Sequence, residues 1–82
     1  MKHYKPFTEA VGQLLLLCRE MKGETLRQVA AKTGLSNGFI SQIECGHALP
    51  GLGAAVVLCD HYGIKLERLA VIVREHGLGG AE

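Results

Sequence analysis

Two helix starts stand eleven residues apart in this chain, at Thr25 and Ser36, with a glycine at position 34 between them. In Thr25-Leu26-Arg27-Gln28 a hydroxyl precedes a carboxamide by three residues, the spacing at which the Thr oxygen accepts from the third amide while Gln reaches back to the first. Gly34 takes the left-handed backbone that ends a helix without a Cβ penalty. Ser36 then caps a further helix through Asn37-Gly38-Phe39-Ile40-Ser41-Gln42-Ile43-Glu44, closed at Gly46. Helices this short, joined by so tight a turn, cannot fold back antiparallel and must cross steeply.

The rest of the chain supplies the packing for that pair. Its 82 residues predict one domain over 1–82, with a core of about 7–76, the crossing pair at 25–45 and the glycine-rich 77–82 as a flexible tail. Apolar spacing predicts three more helices. The first follows Pro6, with Thr8 as its N-cap, and turns Phe7, Ala10/Val11, Leu14, Leu17/Cys18 and Met21 inward before Gly23. The fourth carries Leu52, Ala55, Val56, Leu58, Cys59 and Tyr62 and stops at Gly63. The fifth runs from Leu66 to about Glu75. Within the crossing pair, Leu26, Val29 and Ala30 and then Leu35, Ile40 and Ile43 face the core. With no Trp, two Tyr and two Phe, the filling must be aliphatic, which points to packed helices and an all-α fold.

Composition removes several functional classes. The formal charge of +1 is far from the strongly basic balance of a chain that binds nucleic acid without regard to sequence. Such bias as exists lies in residues 1–48, where Lys2, Lys5, Arg19, Lys22, Arg27 and Lys32 face four acids. Cys18, Cys45 and Cys59 show no C-x-x-C spacing and read as thiols of a reducing cytoplasm. The apolar run Leu14–Cys18 is too short to cross a bilayer, so no membrane association is expected. Cys45-Gly46-His47 and Cys59-Asp60-His61 do not have the spacing of structural zinc sites, so neither metal nor cofactor is expected. No nucleophile–base–acid set, phosphate loop or carboxylate pair appears, and the chain is not expected to be an enzyme.

What remains is the outer face of the third helix. Once Ile40 and Ile43 are turned in, Asn37, Gly38, Ser41 and Gln42 point out. They are short, uncharged and capable of hydrogen bonding, whereas a face made only for solvent would carry Glu, Lys and Arg, which are better helix formers. Asn and Gln bond adenine at two points in the major groove, Ser donates or accepts, and Gly38 lets the helix come close to a duplex. The amides at the start of this helix, next to Ser36, suit a phosphate. Lys22, Arg27 and Lys32 are the nearby cations for the backbone of the nucleic acid.

At these residues the chain resembles the Cro/repressor, or Xre-type, helix-turn-helix family, through Thr25-Leu26-Arg27-Gln28-Val29-Ala30, Gly34-Leu35-Ser36, Ile40-Ser41-Gln42-Ile43-Glu44, Gly46, Pro50 and Tyr62-Gly63-Ile64. The resemblance covers residues 14 to about 70. It implies a compact five-helix domain of the lambda-repressor-like type, in which Asn37, Gly38, Ser41 and Gln42 on helix 36–45 face base edges. It also implies that residues near Leu26, Arg27, Phe39 and His47 approach the sugar-phosphate backbone. The chain departs from the family pattern in Cys45, where Arg, Asn or Lys is usual, in Lys65, where Ser or Thr usually caps the last helix, and in the absence of Arg from the outer face. Modest affinity per monomer is expected.

Leu66–Arg74 holds more apolar residues than one face buries in a domain this small, and a second copy covering the surplus predicts a homodimer through Leu69, Ile72 and Val73. The expectation is a cytoplasmic transcriptional repressor, of bacterial, phage or plasmid origin, bound to a palindromic double-stranded operator. Two alternatives share the fold: an antitoxin-like autoregulator with a protein partner, and a protein-interaction module. Salt-dependent binding to duplex DNA separates the last from the others.

Overall fold

The computed structural model describes residues 6–76, and the regular elements among them are α1 (Pro6–Lys22), α2 (Leu26–Thr33), α3 (Asn37–Glu44), α4 (Leu52–Tyr62) and α5 (Leu66–His76). This is the five-helix, all-α order that the apolar spacing predicts. The tail at 77–82 and the basic residues Lys2, His3 and Lys5 lie outside the described residues.

Local chemistry sets the helix ends. Thr25 forms the full capping box: its hydroxyl accepts from the Gln28 amide at 3.1 Å and its own amide donates to the Gln28 side-chain oxygen at 2.8 Å. Ser36 caps α3 by accepting from the Phe39 amide at 3.0 Å. Gly34 ends α2 at φ 82°, and its amide returns to the Ala30 carbonyl. Thr33 tightens the same turn, since its hydroxyl donates to the Val29 carbonyl and accepts from the Leu35 amide. Three residues, 34–36, therefore separate two helices whose facing ends are each capped.

The core is aliphatic. Val11, Leu15, Val29, Ile40, Ile43, Leu58 and Leu69 are buried together, with Val29 wholly inaccessible. Leu26, Ala30 and Leu35 pack half-buried against them, as the alternation in α2 and α3 predicts.

The first helix corrects two expectations. Thr8 is not the cap of α1 but a buried residue in its first turn, the helix having already begun at Pro6. The inward stripe is Phe7, Val11 and Leu15, whereas Leu17 is half exposed and Met21 is 80% exposed. The stripe's next position, four residues beyond Leu15, is Arg19, and it turns toward a partner on α3. That choice rotates Met21 to the outside. In α4, likewise, Leu52 is 73% exposed while Ala55, Leu58 and Cys59 are buried.

Candidate nucleic-acid interface

The outer surface of α3 is built by fixing its inner one. Ile40 and Ile43 are buried, and Phe39 lies half-buried against the core, so the helix cannot rotate about its axis. Asn37, Gly38 and Gln42 are then exposed and Ser41 is half-buried between them. Gly12 on α1 decides how near α3 can approach. A Cβ there would lie well inside contact distance of the Ile43 carbonyl oxygen, so only glycine allows the two backbones to meet. Gly46, at φ 80°, continues this close passage, because a Cβ would stand 3.0 Å from Glu9 Cγ.

The C-terminal end of α3 is held by charge. Arg19 donates Nε to one oxygen of Glu44 at 2.8 Å and Nη2 to the other at 3.0 Å, a two-point pair on side chains that are mostly buried. Its remaining nitrogen donates to the Glu24 carbonyl at 2.8 Å, fixing the α1–α2 turn as well. The Glu44 bond holds the guanidinium proton more tightly than usual. Glu24 in turn accepts from Lys32 on α2 at 2.9 Å and His61 on α4 at 2.7 Å. These two hydrogen bonds, Lys32 first, bring its carboxyl down to about 2. Two linked carboxylates thus join α1, α2, α3 and α4 behind the outer face of α3. Tyr62 lies next to this network, stacked edge-on to His61 with centroids 5.1 Å apart, and its buried hydroxyl has no hydrogen-bond partner among the described residues. Burial, then the nearby Glu44, pushes its proton affinity up to about 12.

The other sequence candidates divide by place. Arg27 and Lys22 are exposed, at the start of α2 and the end of α1. Lys32 is exposed yet engaged with Glu24. Ser36 spends its hydroxyl on the cap. His47 is exposed just beyond α3, its amide bonded to the Gln42 carbonyl at 2.9 Å. Cys45 is exposed at the C-cap of α3, while burial raises the thiol pKa of Cys18 and Cys59 above the ordinary range. Of the residues named for self-association, Leu69 is only 7% exposed and belongs to the chain's own core, while Ile72 and Val73 are half-buried. No helix is long and apolar enough to cross a membrane among the described residues.

Sequence reasoning missed Gly12, Arg19, Glu24, Glu44 and His61. A glycine in the middle of an otherwise apolar helix, and an arginine on the Val11–Leu15 stripe, were the available signals.

Comparison with known proteins agrees with this geometry. Residues 10–72 match the family described as helix-turn-helix domain, which takes in all of α2, α3 and α4 and most of α1 and α5. An uncharacterised HTH-type transcriptional regulator of Sinorhizobium fredii, y4dL, is 43% identical over 49 residues, 60% of this chain and 25% of that protein. The chain therefore spans only about a quarter of that relative's length. The capped helix pair, its three-residue turn and the extent of the family match together establish that the chain belongs to the Xre-like helix-turn-helix family.

Proposed function

We propose that the chain is a DNA-binding transcriptional regulator, a homodimeric repressor that reads a palindromic operator with α3 in the major groove. The observation that carries this reading is the outer face of α3, where Asn37, Gly38 and Gln42 are exposed and uncharged on a helix whose inner face and far end are locked. Polar groups arranged for solvent alone would not need so rigid a mounting. Lys22 at the end of α1, Arg27 at the start of α2, the exposed Lys32 and His47 just beyond α3 would meet phosphates, with Ser36 and the first amides of α3 at the groove edge. The relative's name, a transcriptional regulator, supports the same assignment.

Self-association has support of its own. Leu49, Leu52 and Leu66 are exposed beside Ala70 and Val73, and together they border an apolar groove of about 330 Å³. A second copy seated there against Val73, with the half-buried Ile72 next to it in the chain, would present two α3 helices about 34 Å apart, matching half-sites one helical turn apart. Leu69 would contribute from below, as the floor of the groove. Occupancy of such an operator would repress by blocking polymerase.

Selection from random duplexes by the purified chain tests the reading. An inverted repeat with half-sites about one turn apart is the expected product. Recovery of a single unrepeated site contradicts the dimer, and recovery of no site contradicts DNA reading altogether.

A further inference from the structure

The chemistry left on α3 narrows the bases it can read, an inference that rests on the DNA-binding reading above. Each candidate side chain can be followed to its partner. The Ser36 hydroxyl is taken by the Phe39 amide, the Phe39 ring lies against the core, and the Glu44 carboxylate is taken by Arg19. What faces outward is two carboxamides, Asn37 and Gln42, the half-buried Ser41 hydroxyl, and Gly38. No lysine or arginine stands anywhere in α3. Guanine offers the major groove two adjacent acceptors, which suit a cation with two donors. Adenine offers an acceptor beside a donor, which a carboxamide matches with its own donor and acceptor.

Gly38 adds shape to this chemistry. Its φ is not in the left-handed region, and a Cβ built on it meets nothing within 4 Å. Neither backbone conformation nor packing within the chain requires a glycine there, and alanine would favour the helix. Gly38 stands four residues before Gln42, on the same face. Helical side chains lean toward the N-terminus, over the preceding turn. The space that a side chain at 38 would fill is therefore open in the free chain, one turn before Gln42 on the face that a base pair would approach.

We propose that Gln42 and Gly38 act as a specificity-determining pair for A·T base pairs: Gln42 bonds the adenine edge, and Gly38 admits the base pair close enough for both bonds to form. The fold gains nothing from the glycine, so its substitution separates stability from recognition.

The test uses the duplex selected by the unaltered chain. Binding of the unaltered chain, Gln42→Ala and Gly38→Ala is measured on that duplex and on versions with each A·T pair of the half-site changed in turn to G·C, with thermal melting of each protein alone. At one A·T position per half-site, the change to G·C weakens the unaltered chain by about 5- to 150-fold and Gln42→Ala by little. Gly38→Ala melts ~2–5 °C higher yet binds the selected duplex about tenfold more weakly or worse. A Gln42-dependent position that is G·C overturns the proposal and leaves DNA binding standing, as does a Gly38→Ala chain that binds like the unaltered one or melts lower. Failure to select any duplex overturns the DNA-binding reading itself, and this proposal with it.

Discussion

The α2–α3 pair and the α4–α5 pair are punctuated alike and face outward with opposite chemistry. Each joins two helices through three residues, 34–36 and 63–65, and each link opens on a left-handed glycine followed by a half-buried aliphatic residue, Leu35 in one and Ile64 in the other. They part at the third position. Ser36 caps α3 with its side chain, whereas Lys65, standing before α5, has no acceptor oxygen to offer an amide. Outward, α3 shows carboxamides and a glycine, while α4 and α5 show Leu52, Val56, Leu66 and Val71. One backbone device thus serves two purposes, and the purpose is written in the side chains that the core does not use. The first pair is rigidly mounted and polar, suited to reading hydrogen-bonding edges. The second exposes an aliphatic groove between α4 and α5, suited to covering by another apolar surface.

Substitutions in the mounting should hurt most, and those on the apolar face least. Gly12→Ala heads the order: helix propensity alone would make it mildly stabilising, but the added carbon meets the Ile43 carbonyl, and a loss of about 3 kcal/mol or more is expected in urea unfolding. Arg19→Met leaves the mostly buried Glu44 carboxylate without its partner and should cost about 2–3 kcal/mol, with faster hydrogen exchange in α3 than in α5. A smaller effect follows from Glu24. Its folded carboxyl sits near 2, below the ordinary 4.5, so the stability it contributes is complete above pH 4.5 and is lost as pH falls toward 2. Acid unfolding of Glu24→Gln should lack that part of the pH dependence, and an unchanged acid profile would remove Glu24 from the mounting. Smallest in stability is Leu52→Glu, within about 0.5 kcal/mol for so exposed a residue. On the proposed dimer, light scattering should nevertheless show the mass fall from two copies to one, which sharpens the contrast between the two pairs.

The sequence made the first pair more legible than its mounting. Thr25, Gln28, Gly34 and Ser36 act on backbone groups within four residues of themselves, so their roles follow from spacing alone. The orientation of α1 was not legible in the same way. Leu14 to Leu17 are four consecutive leucines and carry no phase, so the stripe could be drawn through Leu17 and Met21 as readily as through Leu15. What fixes the phase is Arg19 meeting Glu44, twenty-five residues away, and Gly12 meeting Ile43, thirty-one residues away. Such contacts exist only once the chain has folded. Leu69 makes a related point: apolar surplus along α5 can be counted in the sequence, but which residues the core has already taken cannot, and the core took Leu69, which still floors the groove, while leaving Val71 outside.

The central claim is that DNA meets the outer face of α3 and not the apolar face of α4 and α5. Amide and side-chain resonances of the labelled chain, followed while the selected duplex is added at two salt concentrations, test it directly. Shifts centred on the Asn37, Gly38, Ser41 and Gln42 signals, with Arg27 and Lys22 at the margin and an affinity that falls steeply with salt, are the predicted result. Shifts centred on Leu52, Leu66 and Val73, with α3 unmoved, would contradict it.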